Sequence, residues 1–150
     1  MKITEDYAGM IDDTTGYILQ TSFTEGVANQ IRDRITGLKS QGMKRLVLDL
    51  RGNGGGLMNE AVNIVSVFVP RGSLVVSSKG NSEDSKRDYR TVSDPADTKL
   101  PIIVMIDSGS ASSSEIVAGA LQDLDRATVM GTRSYGKGLV QSIRPVAYNG

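Results

Sequence analysis

The sequence predicts an α/β domain, a mostly parallel sheet covered by helices. Two observations carry this. Short apolar, β-branched runs alternate with segments whose apolar residues recur at helical spacing. Three loops rich in small residues, RGNGGG (51–56), DSGSASSS (107–114) and GTRSYGKG (131–138), each follow one of those runs. Ligands gather at the carboxyl ends of strands in such sheets, so the three loops are expected to meet at one edge.

The elements follow in order. YAGMI (7–11) and GYILQ (16–20) flank the polar DDTT and read as two short strands joined by a turn. After TSFTE, where Ser22 or Thr24 is placed to cap, Val27, Ile31, Ile35 and Leu38 line one face of a helix that runs to about Gly42. KRLVLDL (44–50) is a nearly continuous apolar strand. RGNGGG then leads into a helix with Ala61, Val62, Val65 and Phe68 on one face, closed by Pro70 and Gly72. SLVVSSKG (73–80) and RDYRTV (87–92) read as strands around the polar NSEDSK, and SDPADTK (93–99) as a surface loop. LPIIVMI (100–106) is the strongest strand, and DSGSASSSE feeds a helix with Ile116, Val117, Ala120 and Leu121 inward. RATVMG (126–131) and LVQSIRPV (139–146) read as two further strands.

Composition narrows the chemistry. The 150 residues fit one domain, and 39% hydrophobic content is enough for a core. Lys and Arg total 17 against 17 Asp and Glu, so nothing in the net charge draws the chain to nucleic acid or anionic lipid. With no cysteine there is no thiolate nucleophile or thiolate metal site, and the redox compartment stays open. With no histidine there is no Ser-His-Asp triad and no histidine base. No apolar run approaches the roughly 18 residues of a membrane span, and the first twenty residues lack a signal-peptide core.

Gly131, Gly136 and Lys137 satisfy most of a phosphate-loop pattern. Two requirements fail. Gly138 stands where magnesium needs a hydroxyl, and LVQSIRPV reads as a strand where a helix should follow. The GNGGG loop also misses the dinucleotide fingerprint, with Leu57 or Asn59 at the last glycine position. Its glycines suit either a tight turn or an anion or oxyanion role. Ser110, Ser112, Ser113 and Ser114 read first as helix caps. Small neighbours at Gly109 and Ala111, and helix-start amides able to hold a developing oxyanion, also fit a serine nucleophile. Glu115 reads as a dipole partner in the first turn. Without histidine, the base must be a carboxylate or a neutral lysine, and Lys137 between two glycines suits a lysine packed into a site. The alternative is an exposed lysine in a hairpin.

The run GYILQTSFTEG…VLDLRGNGGGLMNEAVNIVSVFVPRG…SGSASSSEIVAGALQDLDRATVMGTRSYGKGLVQSIRP, spanning roughly Tyr7 to Pro145, closely resembles the C-terminal processing (tail-specific) peptidases. The resemblance implies a crotonase-like core related to Clp protease and a serine endopeptidase with a Ser-Lys dyad. It implies Ser112 as nucleophile, Lys137 as base and Gln141 as the residue that orients the lysine. Oxyanion donors would be the backbone amides of Ser113 and of Gly55 or Gly56. Gly54 stands where the family often has proline, and Ser113 where it often has alanine. No cofactor is implied. The implied partners are protein or peptide C-termini, and the implied location is the cell envelope or periplasm. Residues 1–150 are expected to be a partial protease catalytic core, without a recognisable PDZ domain and truncated on its C-terminal side. Such a piece is expected to fold but to cleave poorly, with an open sheet edge where another copy of the chain could pair. The alternative function is a catalytically incomplete fragment or peptide-binding scaffold.

Overall fold

The computed structural model describes residues 6–78 and 87–131. Lys137, Gln141, the strand expected at 139–146 and the NSEDSK segment lie outside the described residues. Among the described residues the chain forms β1 (Tyr7–Met10), β2 (Thr15–Leu19), α1 (Val27–Ser40), β3 (Arg45–Asp49), α2 (Met58–Phe68), β4 (Leu74–Ser78), β5 (Arg87–Arg90), β6 (Ile102–Ile106), α3 (Ser113–Asp123) and β7 (Thr128–Gly131). The order follows the sequence expectation element by element.

The main sheet runs β1-β2-β3-β6-β7. Its first pair is antiparallel and the other three are parallel. The tight β1–β2 connection explains the exception: Asp12 Oδ1 accepts the amides of Thr14 (2.8 Å) and Thr15 (2.7 Å), which folds DDTT into a turn too short for a crossover. β4 and β5 pair antiparallel as a separate two-stranded sheet.

Strand alternation decides where the core sits. Ile18, Leu46, Leu48, Ile102, Val104, Ile106 and Val129 are buried on one face, whereas Tyr17, Val47 and Met105 on the other are only partly buried, and Ile103 and Met130 are exposed. The helices therefore cover one face of the sheet. α2 packs against both α1 and α3, and its flank toward each is apolar, so all but a few of its residues are buried.

The start of α1 differs from the expected side-chain cap. Neither Ser22 nor Thr24 caps it; the helix begins after Gly26, in the left-handed region at φ 87°. Glu60 of α2, 6% exposed, accepts the amides of Gly26 (2.9 Å) and Ala28 (3.0 Å) through its two carboxylate oxygens. A carboxylate from the neighbouring helix thus satisfies the orphan amides and complements the positive helix end.

Arg126, before β7, closes the opposite end of the sheet. Its guanidinium donates to the carbonyls of Phe68 (2.7 Å), Leu100 (2.6 Å) and Asp97 (3.0 Å) and lies over the Phe68 ring. One side chain thus ties the end of α2 and the 93–100 loop to the last described strand. Arg126→Ala leaves three carbonyls without this donor, and a loss of about 3 kcal/mol in unfolding free energy is expected. Urea denaturation reads it, and an unchanged midpoint would show that the three contacts contribute nothing.

Candidate active site

Because β3 and β6 are parallel neighbours, the loops that follow them, 51–56 and 107–112, emerge side by side at the carboxyl edge of the sheet. They are joined at many points. Ser110 Oγ donates to Leu50 O (2.7 Å), Ala111 N to Asn53 O (3.1 Å), Ser114 Oγ to the same carbonyl (2.8 Å), and Ser113 Oγ to Gly56 O (2.9 Å). Asn53 is fully buried; its Nδ2 donates to Gln20 O (2.8 Å) and its Oδ1 accepts Gly55 N (2.7 Å). One asparagine therefore binds the end of β2, the glycine loop and the serine loop together.

This network separates the four serines. The hydroxyls of Ser110, Ser113 and Ser114 are spent on backbone carbonyls, and all three residues are buried. Ser112 alone of the four is exposed, and its hydroxyl donates to no carbonyl among the described residues. It is the N-cap of α3, with φ 57° and ψ −119°, a conformation that costs an L-residue energy. Glu115 Oε1 accepts the Ser112 amide at 3.2 Å, the first-turn carboxylate role the sequence suggested. Where the resembling family often has alanine, the extra hydroxyl of Ser113 is absorbed by the Gly56 carbonyl.

The glycine loop lies directly on this serine. Gly55 has φ 102°, and a Cβ there would sit 2.9 Å from both Ser112 Cβ and Ser113 N. Gly56 has φ 152°, and a Cβ there would reach 2.3 Å from the Phe23 carbonyl oxygen. Both positions exclude a side chain. The amides of Ser113 and Gly56 make no hydrogen bond among the described residues, whereas that of Gly55 is held by Asn53. Ser112, Ser113, Gly55 and Gly56 are therefore brought together at the N-terminus of α3, where the helix dipole favours negative charge. Lys137 and Gln141 lie outside the described residues.

A charged cluster flanks the glycine loop. Asp49, with a side chain 1% exposed, accepts Arg51 Nε (3.0 Å) and Nη2 (2.8 Å), the Arg51 amide (3.0 Å) and the Tyr17 hydroxyl. Burial pushes the Asp49 carboxyl up, but the hydrogen bonds from Arg51 and Tyr17 outweigh it and hold it below its ordinary value. Tyr17 is raised by burial and by that carboxylate, and Arg51 is raised chiefly by its bonds to Asp49.

Sequence reasoning singled out the four serines and the glycines of these two loops but not Asn53, Asp49 or Glu60. Asn53 lies inside the quoted glycine motif, yet a buried hub and a turn residue look alike in sequence. Asp49 carried a signal: a carboxylate at the end of an apolar strand, two residues before an arginine, is unusual enough to need a partner.

A family model described as peptidase family S41 matches residues 14–150. The chain is 42% identical over 144 residues to a carboxy-terminal-processing protease of Bartonella bacilliformis, a match covering 93% of this chain and 33% of that protein. It is 36% identical over 135 residues to the chloroplastic C-terminal processing peptidase of Tetradesmus obliquus, covering 90% of this chain and 29% of that one. Among solved structures it is similar to the photosystem II D1 C-terminal processing protease, with a TM-score of 0.72 and 35% identity over 82% of this chain and 31% of that one. The chain thus spans about a third of the length of these relatives.

The Asp49 cluster gives a signed prediction. A carboxyl held below its ordinary value binds its proton less tightly folded than unfolded. Its stabilisation is complete above the unfolded value near ~3.9 and is lost as pH falls through the folded one. Melting temperatures taken from pH 7 down to pH 2 should therefore fall more steeply below about pH 4 for the unaltered chain than for Asp49→Asn. Parallel curves would show that Asp49 carries no such linkage.

Proposed function

Because the chain belongs to peptidase family S41, we propose that it is the catalytic core of a serine endopeptidase that processes protein C-terminal tails through a Ser112–Lys137 dyad. The observation that supports this most is the presentation of Ser112: alone of four clustered serines it is exposed and at positive φ, and it is set against Gly55, where no side chain fits.

In this reading, neutral Lys137 takes the proton of Ser112 as Oγ attacks the scissile carbonyl. The developing oxyanion is held by the Ser113 amide and an amide of the Gly55–Gly56 pair. The lysine returns the proton to the leaving amine, and water, activated by the same lysine, hydrolyses the acyl-enzyme. Gln141, four residues beyond Lys137 in the sequence, orients the lysine in this reading. Lysine serves as a base only where burial disfavours its charged form, so the residues after β7 belong to the machinery as much as Ser112 does. The substrates are protein C-termini, and the cell envelope is the compartment this activity suits.

In the full-length protein, Ser112→Ala and Lys137→Ala should each abolish hydrolysis of an unstructured peptide with an apolar C-terminus while leaving the melting curve intact. Retention of a tenth of the turnover by Lys137→Ala would remove the lysine from the mechanism. Gln141→Ala should slow turnover by less, since it misorients the base without deleting it.

The pH profile offers an independent check. Activity should rise with the loss of one proton at an apparent pKa well below the roughly 10.4 of free lysine. A rate still climbing near that value would mean an exposed, unshifted Lys137.

A further inference from the structure

The ladder between β3 and β6 continues past the end of its strands through a side chain. Within the sheet, Leu46 N donates to Pro101 O (2.9 Å) and Leu50 N to Met105 O (2.8 Å), each donor 55 residues before its acceptor. The next bond in that register would run from Gly52 N to Asp107 O. It does not form, because the Asp107 carbonyl has turned to accept Ser110 N (3.0 Å) as the chain bends toward Ser112. Asp107 Oδ1 takes its place and accepts Gly52 N at 2.9 Å. The same oxygen accepts Gly109 N at 2.9 Å, and the Asp107 amide is held by Ser110 Oγ at 3.0 Å.

We propose that Asp107 is a positioning residue of the Ser112 site, whose Oδ1 fixes the distance between the glycine loop and the loop that carries the nucleophile. The proposal rests on the peptidase reading above. Two features make this bond decisive rather than incidental. The loops approach backbone to backbone here, since a Cβ on Gly109 would lie 3.0 Å from Gly52 Cα. No side chain stands between them as a spacer, so hydrogen bonds set the gap. Asp107 also stands upstream of every loop contact made by Ser110 to Ser114, and a shift at Gly52 or Gly109 moves Gly55 relative to Ser112. A displacement of about 1 Å between nucleophile and oxyanion donors costs on the order of a hundredfold in rate.

The role needs an acceptor oxygen rather than a charge, and this separates it from an electrostatic effect. Asparagine offers an Oδ1 in the same place and should replace Asp107; alanine should not.

The test uses the full-length protein, with the unaltered enzyme and Ser112→Ala as references for turnover dependent on Ser112. Asp107→Ala is expected to lower kcat by about ten- to hundredfold with KM within about twofold, and to slow labelling of Ser112 by a fluorophosphonate in parallel. Asp107→Asn is expected to keep at least about a third of kcat. Unaltered kcat and labelling in Asp107→Ala would overturn the proposal. So would an Asp107→Asn variant as slow as the alanine variant, or a fall confined to KM. Should Asp107→Ala fail to fold, Asp107→Ser, too short to span both amides, is expected to show the same kcat loss, and normal turnover in it would overturn the proposal. If Ser112→Ala proved as active as the unaltered enzyme, the peptidase reading itself would fall, a result distinct from any behaviour of Asp107.

Discussion

The site depends on two adjacent loops being closed onto each other without side chains between them. Asn53 is the centre of that closure. Its carbonyl accepts both the Ala111 amide and the Ser114 hydroxyl, while its side chain spans from Gln20 to Gly55. A fully buried amide has hydrogen-bonding positions to satisfy, and here Nδ2 is tied to Gln20 beyond β2 while Oδ1 fixes Gly55 within its own loop. The burial that makes an unpaired group costly is what makes this hub rigid.

That closure explains the conformation of Ser112. A serine at this positive φ is uphill by on the order of 1–3 kcal/mol and persists only where its surroundings leave it no alternative. Ala111, Ser113 and Ser114 on either side are pinned to the glycine loop, so the chain at 112 turns outward with no route to relax. The same geometry places two amides, Ser113 and Gly56, that have no partner among the described residues, at a helix start. Such donors stabilise an oxyanion without having to reorganise when charge appears.

The flanking networks divide the remaining work. Asp49, Arg51 and Tyr17 hold the entry to the glycine loop from the helix-free face of the sheet, and Glu60 anchors the start of α1 from α2. Asp49 and Glu60 are buried carboxylates, and Tyr17 and the α1 amides that they bind lie 32 to 34 residues away, outside a short sequence window, whereas Arg51 stands only two residues from Asp49.

The sequence by itself determined the element order and the apolar faces, and it narrowed the candidates for reacting groups. Periodicity of 2 or 3.6 is a local property, and the lack of histidine leaves few groups able to accept a proton. It also carried the family, since the linked motifs sit at readable spacings along one chain. What it left open was which serine of four is presented. That was decided by tertiary structure: only when β3 and β6 lie side by side do Asn53, Gly56 and Leu50 capture three hydroxyls and leave Ser112 exposed. The cap of α1 went the same way, from the expected Ser22 or Thr24 to Glu60. Local propensity proposes a partner within a few residues, whereas a packed neighbour with a full carboxylate competes for the same amides and wins.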